Sequence, residues 1–288
     1  MRRTTRVADG WLLRDMRPED IADGLRLCRA AGWNQTAKDW EALLAHGLFR
    51  VAVRGGQVVG TGGAVVYGRS LAWVAMILVD PAERRQGIGT HLVEDVVSRL
   101  GNVEVVGLDA TPAGAQVYTR LGFTDRGGFA RMERPAGTEP SAELPGGLLP
   151  LTEADLADVG HKDLEVFGAD RTSLLCWALE QASAYAWRAG GSSGLEGYVF
   201  GRHGHRTEHI GPLVAADEDT AARLLAAVLS PSPASAFTVD VPENPRWLER
   251  LRGFGFQDQR AFRRMILGDA PLPGDAGRRF ALFGPELG

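Results

Sequence analysis

The stretch with the clearest chemical content reads Ile77-Leu78-Val79-Asp80-Pro81-Ala82-Glu83-Arg84-Arg85-Gln86-Gly87-Ile88-Gly89-Thr90. An apolar strand ends, a turn follows, two glycines open, and an amphipathic helix begins. Backbone N–H groups at a helix start have no intrahelical partner and lie at the positive end of the helix dipole. Gly87 and Gly89 let a pyrophosphate approach that backbone without a Cβ in the way. Arg84 and Arg85 add positive charge. The pattern predicts an anion site for a phosphorylated cofactor. The same spacing also fits a strand–turn–helix whose glycines serve packing alone. A Rossmann fingerprint would need a third glycine and a later acidic residue on the ribose. A Walker loop would need Gly-Lys-Ser/Thr, which the chain lacks.

The elements around this loop read as an α/β alternation. Helices are expected at Pro18 to Ala31 and at Thr36 to Leu44, with Thr36 as a cap. Phe49 to Arg54 and Val58 to Tyr67 form strands joined at Gly55-Gly56, a hairpin signal. Leu71 to Val79 is almost wholly apolar and so central. The helix from Gly89 to Leu100 turns Leu92, Val93, Val96, Val97 and Leu100 inward. A strand at Val103 to Leu108, a short helix at Ala113 to Leu121 and a strand at Phe129 to Arg134 complete the first half. The run Arg134 to Pro150 is rich in Pro, Gly and small polar residues and reads as a linker.

The second half repeats the order. Helices are expected at Asp155 to Phe167 and Thr172 to Ala182, then strands at Ala184 to Arg188, Gly197 to Arg202 and Glu208 to Val214. A helix at Asp219 to Leu229, a strand at Phe237 to Val241 and a short helix at Pro245 to Leu251 follow. The Pro/Gly-rich stretch Gly268 to Gly277 precedes an apolar tail, Phe280 to Phe283, expected to dock as a last strand. A shift of about 133 residues carries Gly122-Phe123 onto Gly255-Phe256, Met132 onto Met265 and Thr111 onto Asn244. Four coincidences imply two copies of one unit. The expected division is 1–134, a linker at 135–150, and 151–288.

Composition bounds the function. The chain has 288 residues, 44% hydrophobic and 24% charged, enough for two cored domains. No apolar run approaches the roughly 20 residues of a membrane span, and the basic start Met1 to Arg6 leads into no apolar segment of a secretory signal. A net charge of −4 argues against general nucleic-acid binding. Cys28 and Cys176 lie far apart and read as buried thiols of a cytoplasmic protein, with no metal site.

Arg84-x-x-Gly87-x-Gly89 resembles the coenzyme A pyrophosphate loop of the GNAT superfamily of N-acetyltransferases. Ala115 to Phe123 resembles that family's helix ending in Tyr-x-x-Leu-Gly-Phe, here Tyr118-Thr119-Arg120-Leu121-Gly122-Phe123. The resemblance spans about residues 10 to 134. It implies an α+β acyl-CoA N-acyltransferase fold with a mixed central sheet, in two tandem copies, using acetyl-CoA. It also implies that Ile77, Leu78 and Val79 hold the pantetheine arm, and that Arg84, Arg85, Gln86, Gly87, Ile88, Gly89 and Thr90 hold the pyrophosphate. Thr111, where the family often has Asn, and Gly114 open the next helix beside the cofactor. Tyr118 is the expected acid for the leaving sulfur, and a packing tyrosine otherwise. For the base, Asp109 at a strand end is preferred over the loop acid Glu83, with a bound water as a third choice.

Acceptor recognition is expected from Trp33, Asn34 and Gln35, which break the helical pattern, and from Trp40. Aromatic walls with a few polar groups suit a small-molecule pocket, and the same tryptophans also suit a core. The second half, by contrast, reads Val214-Ala215-Ala216-Asp217-Glu218-Asp219-Thr220 at the phosphate-loop position, and Leu251 stands where Tyr118 would be. Three carboxylates would repel a pyrophosphate. This resembles bacterial tandem GNAT proteins with a degenerate C-terminal copy that shapes the acceptor site, where Asp170 or Arg171 could reach the substrate or cap the next helix. His203, His205 and His209 fit a surface better than a metal site. The expected function is acetyl transfer to a small-molecule amine, by a monomer or homodimer with no nucleic-acid or membrane partner. The alternatives are an acyl-CoA or metabolite sensor without turnover, or two domains acting in sequence.

Overall fold

The computed structural model describes residues 5–6, 10–138, 146–191, 194–230 and 235–288. The chain forms two compact units. The first holds Met1–Asp125 with Met265–Ala270 and Leu287, and the second holds Arg126–Arg264 with Pro271–Glu286 and Gly288. These limits differ from the expected division at residue 134, and the centre of the linker, 139–145, lies outside the described residues.

In the first unit, β1 (Thr5–Arg6), β2 (Leu12–Asp15), α1 (Ile21–Ala30), α2 (Ala37–His46), β3 (Gly47–Arg54), β4 (Gln57–Tyr67) and β5 (Leu71–Val79) come first. Then follow α3 (Ile88–Arg99), β6 (Val105–Ala110), α4 (Pro112–Arg120) and the start of β7 (Phe123–Arg134). Strands β1 to β5 pair antiparallel in chain order, and β5 pairs β6 in parallel. The β3–β4 hairpin turns at Gly55 and Gly56, both at positive φ (56° and 85°), as such a turn requires. Helix α2 starts on a reciprocal cap: Thr36 Oγ1 accepts from the Asp39 amide, while Asp39 accepts from the Thr36 amide at 2.6 Å. Thr111 caps α4 by accepting from the Gly114 amide at 3.3 Å.

Glycines in this unit make room for large rings. A Cβ on Gly63 would lie 2.1 Å from the Phe49 ring, and one on Gly107 would lie 2.3 Å from Trp73. The core gathers Val74, Val93, Val96, Leu108, Phe123 and Met265. Thus Met265, from the far end of the chain, fills the first unit's core. The buried Arg50 guanidinium is neutralised by Asp15 and by Asp95 at 2.7 Å, as burial of a charge requires.

The second unit holds the rest of β7 with β8 (Leu148–Pro150), α5 (Leu156–Phe167), α6 (Thr172–Ala182), β9 (Trp187–Gly191), β10 (Gly194–Arg202) and β11 (Glu208–Ala215). It continues with α7 (Glu218–Leu229), β12 (Phe237–Pro242), α8 (Pro245–Gly253), most of β13 (Gln257–Leu267) and β14 (Arg279–Ala281). Phe129–Arg134 of β7 pair antiparallel with Pro242–Phe237 of β12. Asn244 caps α8, accepting from the Arg246 and Trp247 amides. This matches Thr111 in its cap and in the proline that follows, the clearest structural trace of the repeat.

Three local expectations are corrected. The strand expected at Ala184 to Arg188 begins at Trp187, because Ser183–Tyr185 form a 3-10 turn that sends the Tyr185 ring into the core. The linker's end, Leu148–Pro150, is a strand paired with β9. Cys176 is half-buried, whereas Cys28 is buried. Strand β13 went unpredicted, although the repeat around Met265 pointed to it.

Candidate functional site

The loop Arg84–Thr90 turns sharply into α3. Arg85 (φ 64°) and Gly87 (φ 77°) are both left-handed, and Gly87 is the residue from which α3 starts. A non-glycine residue pays of order 1 kcal/mol for that conformation, so Arg85 holds strain in this loop. The amides of Gln86, Gly87, Ile88, Gly89 and Thr90 donate to no acceptor among the described residues. Such a run of free amides at a helix start has the donors that an anion site requires. Arg84, Arg85, Gln86 and Gly87 are exposed, and Ile88 is buried against Trp11, Leu92 and Val79, which anchors the loop to the body. A Cβ on Gly89 would meet Val79 at 3.6 Å, an ordinary contact.

Three features hold the loop that the sequence reading missed. Asp80 accepts from the Ala82 amide at 3.1 Å and pairs with Arg26 at 2.6 Å. The Arg26 contact and the Ala82 amide hold the Asp80 carboxyl below its ordinary value. Glu83 binds Arg54 and Gln86, so it is a loop clamp rather than a free base. His91 places Nδ1 2.9 Å from the Gly87 carbonyl and sets its ring edge-on to Trp11. Only the Asp80 turn had a sequence signal, an Asp-Pro before the loop.

The strand that feeds the loop is deformed near its end. The β4–β5 register slips between Thr61–Leu78 and Gly63–Ala75, leaving an extra residue on β5. Met76 sits there at φ 57°, with its carbonyl held by Thr61 Oγ1 at 2.9 Å. A Cβ on Gly62 would lie 2.7 Å from Ile77 Cδ1, so glycine at 62 accommodates the bulge. Strand β5 pairs β6 only from Leu71 to Val74. Beyond the bulge, Ile77, Leu78 and Val79 have no pairing with β6, which opens a cleft between two parallel strands.

Ile77 and Tyr118 pack against the same core cluster. The Tyr118 ring stands edge-on to Phe123 at 6.0 Å, and its hydroxyl has no hydrogen-bond partner among the described residues. Burial pushes its pKa up to about 12, so the phenol is protonated at neutral pH. Asp109 is the half-buried penultimate residue of β6. Thr111 and Gly114 are engaged with each other in the α4 cap, although the Thr111 hydroxyl can still donate its proton.

The expected acceptor residues divide. Trp40 is fully buried, edge-on to Phe49 and against Gly24, where a Cβ would lie 2.9 Å from its ring. It is therefore a core residue and not a pocket wall, a correction to the sequence reading. Trp33 and Asn34 are half-buried in the α1–α2 connection. Gln35 is buried, and its Oε1 has no hydrogen-bond partner. A buried unsatisfied acceptor costs about 1–3 kcal/mol, which a ligand N–H would recover.

In the second unit the matching positions do other work. Asp217 caps α7, accepting from the Thr220 amide at 2.7 Å, and Glu218 and Asp219 face Arg250 at 3.5 and 2.6 Å. Asp170 accepts from the Thr172 amide at 2.9 Å. That bond lowers its pKa and makes it a helix cap, which corrects the substrate assignment. Arg171 is buried in a two-bond pair with Asp163 at 2.8 and 2.9 Å. His203 pairs with Glu208, while His209 is buried. Among the described residues, no group of His, Cys, Asp and Glu is arranged to hold a metal, and no helix is long and apolar enough to cross a membrane.

A bulged central strand, a splayed parallel pair and a glycine loop at a helix start belong to a mixed α/β fold. An acetyltransferase (GNAT) domain family matches residues 45–125, and a second acetyltransferase (GNAT) domain family matches 159–281. The chain belongs to the GNAT acetyltransferases and carries two such domains in tandem. It is 26% identical over 227 residues to the uncharacterised N-acetyltransferase YitH of Bacillus subtilis, covering 78% of this chain and 79% of that one. A candidate acetyltransferase from Pyrococcus horikoshii shares the fold, with a TM-score of 0.83, 22% identity and coverage of 99% and 98%. A tandem GNAT protein from the clavulanic acid biosynthesis pathway aligns with a TM-score of 0.65 at 17% identity, over 91% of this chain and all of that one.

Proposed function

We propose that the first unit transfers an acetyl group from acetyl-CoA to the amine of a small molecule by direct attack on the thioester. The observation that carries this is the joint presence of the free-amide loop at Gln86–Thr90 and the open edge of Ile77–Val79 beside it. Acetyl-CoA, when bound, supplies an acyl carbon for the amine to attack and a sulfur that leaves as thiolate. Amides of the loop, with Arg84 and Arg85, hold the phosphate charge. Ile77, Leu78 and Val79 offer backbone groups along an extended arm.

Tyr118 donates its proton to the leaving sulfur. Its raised pKa keeps that proton in place until the thiolate forms, and the same apolar surroundings raise the basicity of the thiolate. Asp109, or water beside it, takes the proton that the attacking nitrogen loses. Gln35 Oε1 accepts from an acceptor N–H, and Trp33 and Asn34 supply an aromatic face and an amide. The second unit takes no acetyl-CoA, because Asp217, Glu218 and Asp219 stand where a phosphate would go.

The test is release of coenzyme A from acetyl-CoA over a broad panel of amines, on the wild type and on Gly87→Glu/Gly89→Glu. Release with one amine class, lost in the double variant, is the expected result. Tight acetyl-CoA binding with no release across the panel would favour a sensor and overturn the transfer reading.

A further inference from the structure

The second unit has a splayed parallel pair like that of the first and fills it with its own chain. Strands β11 and β12 pair only over Glu208–Ile210 and Phe237–Val239. Strand β14 enters the opening beyond, where Leu213 and Val214 pair with Ala281 and Arg279, and the Leu282 amide donates to the Asp240 carbonyl at 2.8 Å. The second copy thus satisfies with its own tail backbone groups that the corresponding strand of the first leaves open. Its contribution to the chain lies elsewhere, in where the last strand of each copy goes.

The repeat matches Met132 with Met265, Phe123 with Phe256 and Tyr118 with Leu251. If each copy kept its own last strand, Met132 would join the core of Phe123 and Met265 the core of Phe256. The cores are crossed instead. Met265 is buried in the first unit's core with Phe123, Val93 and Leu108, and Tyr118 and Leu267 pack against that cluster. Met132 is buried in the second unit's core with Leu251, Phe256 and Val239, and it stands opposite Val239 in the β7–β12 ladder. Residues Met265–Ala270 accordingly belong to the first unit, and Arg126–Arg264 to the second.

The segment after Met265 clasps the corner that follows Tyr118. The chain leaves α4 through Gly122 (φ 88°), whose amide donates to the Thr119 carbonyl at 3.1 Å. The Gly122 carbonyl accepts from the Gly268 amide at 3.0 Å. Thr124 Oγ1 donates to the Gly268 carbonyl at 2.6 Å, with the Ile266 carbonyl at 3.3 Å. Between these bonds, Leu267 covers Gly122, its Cδ1 3.5 Å from where a Cβ would be. Phe123, the next residue, stands edge-on to the Tyr118 ring. Packed neighbours hold a core side chain in place, and a void beside it lets it shift. We propose that Met265–Gly268, from the last strand of the second copy, position Tyr118, so that the degenerate copy serves acetyl transfer by completing the first unit's core. The catalytic half of this rests on Tyr118 being the acid; the crossing of the last strands does not.

The test compares matched cavities in the full chain. Met265→Ala and Met132→Ala remove the same atoms from the two cores, and thermal melts measure what each costs in stability. Coenzyme A release, with any amine of the panel that gives turnover, should fall about tenfold in Met265→Ala and stay within about twofold of the wild type in Met132→Ala. Acetyl-CoA affinity should stay within about twofold in both, because the effect lies at the leaving sulfur. Met265→Leu, which conserves volume, should restore turnover. Thr124→Val, at a half-buried position, should lower turnover severalfold, and it decides the matter where circular dichroism shows Met265→Ala unfolded. Equal losses in Met265→Ala and Met132→Ala, or wild-type turnover in Met265→Ala or Thr124→Val, would overturn the positioning role. Nuclear Overhauser contacts from labelled methionine methyls in the wild type read the crossing without turnover. The Met265 methyl should reach the rings of Phe123 or Tyr118, and the Met132 methyl those of Phe256 or Trp247. Contacts from Met132 to Phe123 would overturn the crossing itself. An amine panel that gives no release from the wild type would overturn the transfer reading and the part of Tyr118 with it, while these contacts still decide the crossing.

Discussion

Adding one methyl group at each of two glycines separates the anion-cradle reading from plain packing. Gly87 has φ 77° and begins α3, whereas Gly89 is helical with space for a Cβ 3.6 Å from Val79. At Gly87, alanine must either accept left-handed strain of about 1–2 kcal/mol or leave that conformation. The free loop can relax, but a loop gripping a pyrophosphate cannot, so binding pays the strain. At 1.4 kcal/mol per tenfold, Gly87→Ala should weaken coenzyme A binding by about 5- to 30-fold. Gly89→Ala adds a helix-favouring residue without strain, stabilising the chain by roughly 0.5–1 kcal/mol, so it measures the Cβ alone and should lose less binding than Gly87→Ala. Calorimetry with coenzyme A, needing no acceptor, reads both. Equal losses in the two variants, or none at Gly87, would refute the argument that left-handed geometry at residue 87 shapes the site.

Tyr118→Phe should reduce turnover by about 10²-fold or more while acetyl-CoA affinity stays within about twofold; unchanged turnover would remove its role as acid. An acid must be protonated to act, so activity is lost as pH rises through its pKa. With that pKa near 12, Tyr118 should impose no fall in rate below about pH 10. Acetyl-CoA should bind with a stoichiometry of one per chain, and two would show that the second unit retains a site. Arg171→Met leaves Asp163 buried without its cation, which costs about 3–5 kcal/mol and should appear as a large drop in the melting temperature. Burial, with Arg202 and Arg131 nearby, drives the His209 pKa well below its ordinary 6.5. The unfolded chain then takes up a proton near pH 6.5 that the folded chain refuses, so stability falls as pH drops through that value. Urea melts at pH 7.5 and 5.5 should show a smaller loss in His209→Gln than in the wild type.

What could be read from residues alone was what is local in the chain. The Gly87–Gly89 spacing, the Thr36 and Thr111 caps and the Gly55-Gly56 hairpin each depend on groups within a few residues, so their types dictate their geometry. The duplication was legible for the same reason: Thr111 and Asn244 do one job at one spacing. Trp40 shows the limit. Its residue type fits a pocket wall as well as a core, and the choice is made by Gly24, which lies 16 positions earlier and leaves the space its ring fills. Asp170, by contrast, is a local case: its cap on the Thr172 amide, two residues on, was one of the two roles its sequence offered.

Sequence by itself determined that this chain carries two α/β units and that in the first a glycine turn opens a helix after an apolar strand. Only the tertiary structure decided which strand ends stay open. The β5 bulge at Met76, the unpaired edge of Ile77–Val79 and the filling of the second opening by β14 are register facts between distant segments. A chain's local preferences say that a segment is extended, but which neighbour satisfies its backbone depends on where the rest of the chain has packed. Burial of Tyr118, and with it a phenol that keeps its proton, is decided at that same level.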